Sequence, residues 1–223
     1  NTNDGGGWNI RFSHQLQSGE YGYPVLFKHF TEEIIPALVD LGGGSGTGAL
    51  YLDDPRWPDE YNRTPLMADW GRSYLYLHPV EADQATFKQR EERFIQLPQI
   101  TDVDIDASGT MYLSAWDGAG YSGSPDIGYV VRAVPKGFKY EAFPDVRQLS
   151  DRKLVGLLKS GSAKARLAAQ YELLHRADGA EPGFSIWKLV EDPSLSMESR
   201  VAALYTFAQL TGSDGIASLV KAA

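Results

Sequence analysis

A chain of 223 residues with 21 Lys and Arg against 29 Asp and Glu carries a formal charge of −8, and 43% of it is hydrophobic. This is globular composition rather than that of a disordered chain, and an acidic balance without a basic run argues against nucleic acid or an anionic lipid surface as main partner. No apolar run approaches the roughly 18 residues of a spanning helix, and the absence of Cys removes disulfides, thiolate nucleophiles, Cys-zinc sites and covalent c-type haem together.

The chain opens at Asn1 without Met, a basic n-region or an apolar h-region, so no signal peptide is expected in these residues. A mature or excised piece of a longer protein is the simplest expectation. Asn3 and Asp4, flanked by Gly5-Gly6-Gly7, can bring oxygen ligands to calcium, a hard cation that takes side-chain and backbone oxygens together. The alternative there is a Gly-rich surface turn.

Residues 1–147 are predicted to be β. Short runs bounded by Gly, Pro, Asp and Ser cover Ala49–Asp53, Leu66–Trp70, Tyr74–Val80, Glu92–Leu97, Ile100–Ile105, Thr110–Ala115 and Gly128–Val134. Gly42–Gly48 resembles a phosphate cradle, but it lacks the Lys and the following helix of a P-loop and reads as a flexible loop. Tyr74-Leu75-Tyr76-Leu77 mixes aromatic and aliphatic residues, as a strand buried on both faces does. Asp104-x-Asp106-x-Ser108-Gly109 begins like an EF-hand loop. Its twelfth position is Ala115 rather than Glu, so a tight hairpin turn at Ala107-Ser108-Gly109 is the better reading.

From Leu149 the period turns helical. Residues 148–223 place Leu154, Leu157, Leu158, Leu167, Tyr171, Leu173 and Leu174, then Val201, Leu204, Tyr205, Phe207 and Leu210, at helical spacings. Ser150 and Ser162 are candidate N-caps, and Asp192-Pro193-Ser194 separates two helices. Ala165-Arg166-Leu167-Ala168-Ala169 is echoed by Ser199-Arg200-Val201-Ala202-Ala203, which points to short HEAT-like repeats of an α-solenoid.

The β half repeats as well. Leu66-Met67-Ala68-Asp69-Trp70-Gly71 resembles Tyr112-Leu113-Ser114-Ala115-Trp116-Asp117-Gly118, with a strand before and after each. The offset suits a propeller blade of four antiparallel strands. The predicted fold is therefore a partial β-propeller of two to three blades followed by a HEAT-like solenoid. The ring needs further blades from the same or a partner chain.

These residues resemble a family. Gly46–Tyr51, Trp57-Pro58-Asp59-Glu60-Tyr61 and Leu66–Trp70 look like one blade of the quinoprotein soluble glucose/aldose-sugar dehydrogenases. Ile100–Val103 with Asp106–Leu113 looks like the next. Asn1–Asp4 with Gly19–Pro24 resembles an earlier segment. Running directly into HEAT-like repeats, the chain is similar to a large group of bacterial membrane-bound dehydrogenases that usually carry a C-terminal cytochrome c domain.

The resemblance implies a secreted or periplasmic bacterial oxidoreductase acting on a sugar or alcohol. Pyrroloquinoline quinone and calcium would be its cofactors, and its electrons would pass to a haem domain outside this chain. The family's catalytic His lies in an early blade that the chain does not contain. Of the family's Lys and two Arg that neutralise the quinone, only Arg72 can stand in for the Lys. The Arg positions fall on Gln99 and Thr101, which cannot form a bidentate guanidinium pair.

Asp69-Trp70 and Trp116-Asp117 end equivalent strands, so a carboxylate and an aromatic ring near one rim form a candidate sugar-binding pair. The bland alternative is an aspartate capping a turn and a packed tryptophan. Arg72 is either a rim cation or a solvated turn residue. His14, His29, His78 and His175 are isolated, without metal-ligand pairing. Glu32-Glu33 and Asp53-Asp54 read as solvated loop carboxylates, and Asn62-Arg63-Thr64 matches a glycosylation sequon. Two functions follow: a segment of a quinoprotein-like dehydrogenase, or a non-catalytic propeller that binds carbohydrate or protein, with the solenoid as a docking surface.

Overall fold

The computed structural model describes residues 9–21, 34–118, 124–176 and 181–222. Asn3, Asp4, Gly22–Pro24, His29 and Glu32-Glu33 lie outside the described residues. Antiparallel β-sheets come first and helices follow, in two compact units that the chain enters more than once. One unit holds residues 1–52, 63–104 and 112–133. The other holds 53–62, 105–111 and 134–223.

The strands are β1 (Arg11–Phe12), β2 (Val39–Asp40), β3 (Gly46–Leu52), β4 (Thr64–Asp69), β5 (Tyr74–Leu77), β6 (Val80–Asp83), β7 (Thr86–Gln89), β8 (Glu92–Gln96), β9 (Ile100–Ile105), β10 (Met111–Trp116) and β11 (Gly128–Ala133). A four-stranded antiparallel sheet has the order β3-β4-β5-β8, with Leu66 opposite Leu77 and Ala68 opposite Leu75. Leu52, Leu66, Ala68, Leu75 and Leu77 of this sheet are buried, as are Ile100, Leu113 and Ala115 of the three-stranded sheet β11-β10-β9. Each fully buried Leu or Ile contributes about 1.5–3 kcal/mol, so these alternating positions carry the stability of the strands. β5 is buried on both faces, as its mixed sequence predicts.

β3 and β9 approach closely. Thr47 Oγ1 donates to the Ile100 carbonyl at 2.8 Å. A Cβ at Gly48 would stand 2.7 Å from the Asp102 Cα, so this crossing admits only glycine.

Two expectations need correction. The stretch Tyr74–Val80 is not one strand. Pro79 has no N–H to donate, β5 stops at Leu77, and a separate β6–β7 hairpin pairs Val80 with Gln89 and Asp83 with Thr86. Among the described residues the second sheet has three strands rather than four. After β11 the chain turns at Pro135–Phe138 and passes Pro144, and neither proline can join a ladder. Among the described residues no ring of four-stranded sheets forms.

The helices are α1 (Asp151–Leu157), α2 (Ala163–His175), α3 (Glu181–Glu191), α4 (Met197–Thr211) and α5 (Ile216–Ala222). α1 with α2 and α3 with α4 form two hairpins whose equivalent boundaries lie 34 residues apart: Leu157 and Glu191 end the first helices, Ala163 and Met197 begin the second. Ser162 accepts from the Ala165 N–H, and Ser196 accepts from the Ser199 N–H. Ser150 occupies a cap position but makes no side-chain cap bond. Leu154, Leu158, Ala169, Leu173, Ile186, Val190, Ala203 and Phe207 form one core. The small Ala of each second helix lets α2 and α4 pack closely.

The two loops between strands belong to this helical unit. Asp53 accepts from the Ala163 N–H through its carbonyl at 2.9 Å, and its carboxylate pairs with Arg166. Asp54 is 1% exposed and pairs with Arg56, which also donates to the Ala107 carbonyl. The expectation of solvated carboxylates at Asp53-Asp54 is thus overturned, because each meets an Arg that neutralises it away from water. Trp57 Nε1 donates to the Gly109 carbonyl at 2.9 Å. Gly109 has φ +86, and a Cβ there would meet the Arg56 guanidinium at 2.5 Å. Asp106 closes the predicted hairpin turn, accepting from the N–H groups of Ser108 and Thr110. Those bonds leave its carboxylate serving a turn rather than an ion.

Candidate functional site at the tryptophan rim

The end of β4, the start of β5, the residue before β9 and the end of β10 bring together Asp69, Trp70, Arg72, Gln99 and Trp116 in the β unit. Asp69 is fully buried. Its Oδ1 accepts from the Ser45 N–H at 2.9 Å and the Arg72 N–H at 3.0 Å, and its Oδ2 accepts from Arg72 Nε at 2.6 Å. A carboxylate with three charge-assisted or backbone donors is committed to its turn. Gly44 makes room for it, since a Cβ there would lie 2.6 Å from Asp69 Oδ2.

Arg72 is committed too. Its Nη1 donates to both oxygens of Glu91 at 3.0 Å, and its guanidinium lies 4.1 Å from the Tyr76 ring centroid. Burial by itself would lower the Arg72 pKa, but hydrogen bonds and charge from Asp69 and Glu91 raise it. Arg72 therefore links buried Asp69 to exposed Glu91 in an ion-pair chain rather than offering a free cation. Glu91 and Tyr76 are members that sequence reading missed. Glu91 lies 19 residues from Arg72 in the chain, and no local pattern joins them.

Trp70 and Trp116 meet edge to face, 6.0 Å between ring centroids, which is favourable for aromatic quadrupoles. Asp117 follows β10 and is exposed. Gln99 has φ +45 and Ser73 φ +57, conformations costly for non-glycine residues. The Gln99 carbonyl accepts from the Trp116 N–H at 3.4 Å. Among the described residues, Trp116 Nε1, Gln99 Oε1 and Arg72 Nη2 are shielded from solvent and have no hydrogen-bond partner. Buried polar atoms without partners are rare in native proteins and mark places where a ligand or water completes the set.

The positions that the resemblance sets against a quinone are otherwise engaged or uncharged. Thr101 Oγ1 is bonded to Ser114 Oγ at 2.7 Å, Gln99 is uncharged, and Arg72 is held by two carboxylates. Among the described residues no group of three or more His, Asp or Glu is placed to hold a metal ion. His14 lies against Thr86 and Phe87, His175 is in the last turn of α2, and His78 is buried, stacked on Phe12 at 4.8 Å with Nδ1 2.9 Å from Gln89 Oε1. No helix of the described residues is long and apolar enough to cross a membrane. No protein-family model and no curated protein sequence matches this chain.

Proposed function

We propose that this chain is a non-catalytic carbohydrate-binding part of a secreted or periplasmic bacterial protein of sugar-dehydrogenase-like architecture. In this reading the four-stranded sheet is one blade of a β-propeller completed outside the chain, and the 34-residue hairpins are HEAT-like repeats forming a docking surface. The observation that carries it is the pairing of two rim indoles with an unpartnered donor, Trp116 Nε1, and an unpartnered acceptor, Gln99 Oε1, on adjoining strand ends. Indole faces suit the apolar face of a pyranose, and a sugar hydroxyl both donates and accepts. The engagement of Arg72 by Asp69 and Glu91 favours binding over quinone chemistry.

A second reading keeps the parent as a quinoprotein-like dehydrogenase of a sugar or alcohol, with calcium near Asn3 and Asp4 and a cytochrome c domain as electron acceptor. The order of its blade-like motifs favours this. The two separate by experiment. Tryptophan fluorescence titrated with a panel of neutral oligosaccharides should saturate for at least one, and Trp116→Ala should weaken that binding about ten-fold or more, as loss of a stacking anchor does. Silence across the panel, together with quinone- and calcium-dependent dye reduction by the parent protein, would overturn the binding reading.

A further inference from the structure

The two helical hairpins repeat at 34 residues, and the repeat extends to an arginine. Arg166 near the start of α2 donates through Nη1 to the Ser160 and Gly161 carbonyls, at 2.8 and 3.1 Å, after α1. Arg200, its equivalent on α4, donates through Nε to the Val190 carbonyl near the end of α3, at 2.9 Å. Arg200 thus caps the carbonyl end of α3, where cations are favoured, while Arg166 binds the turn that follows α1.

The rest of each guanidinium differs. Arg166 is 8% exposed, and its Nη2 is taken by Asp53 from the loop 53–62. That loop lays Pro55 against the turn at Gly161, where an added Cβ would come 3.0 Å from Pro55 Cγ. No loop between strands reaches Arg200 in this way among the described residues. Among the described residues its two terminal nitrogens have no hydrogen-bond partner, and the nearby Asp192 carboxylate is already bonded to the Ser194 N–H and Oγ.

Beside Arg200 lies a groove of about 410 Å³ with Trp187, Met197, Val201 and Leu204 as its apolar lining. Lys221 of α5 and Glu191 complete its charged rim. On a molecule of net charge −8, this seat sets Arg200 and Lys221 beside Glu191, with the Asp192 carboxylate also within electrostatic reach of Arg200. Met197 is 64% exposed, and Met197, Val201 and Tyr205 form an exposed stripe at i, i+4 and i+8 of α4. Exposed apolar surface of this kind marks a contact site.

We propose that the groove on α3, α4 and α5 docks an acidic–aliphatic peptide segment of a partner protein, with its carboxylate paired to Arg200 as Asp53 pairs to Arg166. The chain itself displays the recognition chemistry: a carboxylate on the arginine fork followed by proline or an aliphatic group on the turn and apolar floor. This deepens the docking half of the proposed function and is independent of the sugar-binding half. Loss of glycan binding leaves it standing, and its own failure leaves Trp116 untouched.

The probe is a fluorescein-labelled peptide with the sequence of residues 49–60, which contains Leu52-Asp53-Asp54-Pro55. It is titrated with the full chain by fluorescence anisotropy. Saturable binding is expected, falling with added salt. A peptide with Asn in place of both aspartates should bind about ten-fold more weakly. Arg200→Gln should weaken binding by about ten-fold and Lys221→Gln by about two- to five-fold. Met197→Glu should abolish it, since the added carboxylate stands where the ligand's must sit. Met197 and Lys221 are exposed, so these two variants test the seat even where loss of the Arg200 cap destabilises the helices. Absence of binding, or binding unchanged by all three substitutions, overturns the proposal. A concentration-dependent dimer dissolved by Met197→Glu would make the occupant a second copy of this chain and would overturn the assignment to a partner protein.

Discussion

Residue chemistry on this chain is governed by how buried polar groups are satisfied. Asp69 shows the satisfied extreme: two of its bonds hold Arg72 in the β4–β5 turn and the third ties that turn to Ser45 before β3. His78 shows the other. It is fully buried, and among the described residues its Nε2 has no hydrogen-bond partner. Burial lowers its pKa below 6.5, outweighing the Gln89 hydrogen bond and the Glu91 charge that raise it, while Arg72 adds to the lowering. The folded state thus disfavours the imidazolium. Above pH ~6.5 both folded and unfolded His78 are neutral and the residue is without effect. As pH falls below that value the unfolded chain gains a proton the folded chain resists, so stability declines. In NMR titration the His78 ring signal should change at a lower pH than a free imidazole's, and His78→Phe should flatten the fall in urea stability on acidification. A midpoint at or above 6.5 for His78 would contradict this account.

Elements show their sequence origin most plainly in the helices. Equivalent serines cap α2 and α4, and the capping bonds, the Ala-rich contact faces and the positions of Arg166 and Arg200 all recur at one spacing. The caps are not energetically equal. Ser162 is buried and lends a further hydrogen bond to Asp54, whereas Ser196 bonds locally at an exposed turn. Replacing an N-cap serine by alanine costs about 0.5–2 kcal/mol. Ser162→Ala should fall at the upper end and Ser196→Ala at the lower, measured by urea denaturation. Equal losses would mean that the Asp54 bond contributes nothing. The strands were legible in period and composition, but their limits followed from donors: β5 ends where Pro79 removes one. The β6–β7 hairpin was hidden because both strands face water and lack an apolar alternation.

At the scale of the molecule, the chain does not divide where its periodicity changes. The helical unit recruits residues 53–62 and 105–111 from between strands. The contact that holds the first of these, Asp53 with Arg166, spans 113 positions in sequence, with both side chains nearly excluded from water. Removing one partner of such a pair leaves an uncompensated charge, a loss of about 3–5 kcal/mol. Arg166→Met should therefore destabilise strongly. A double-mutant cycle with Asp53→Ala should return a coupling of about 1–3 kcal/mol, whereas a coupling of zero would remove this pair from the account of the fold.

Read alone, the residues determined the order of β then α, the tight turn at Ser108-Gly109 and the helical repeat. Those features come from backbone preference, glycine conformation and capping bonds that act over a few residues. The rim residues Asp69, Trp70, Arg72 and Trp116 could be picked out from their repeated motif, but their roles could not. Only the tertiary structure decided that Asp69 and Arg72 neutralise one another with Glu91, that Asp53 and Asp54 are buried, and that Arg166 is filled while Arg200 is open. These choices depend on which distant groups lose water together. That cost is set by the packed neighbours of each charge, not by the residues beside it in the chain.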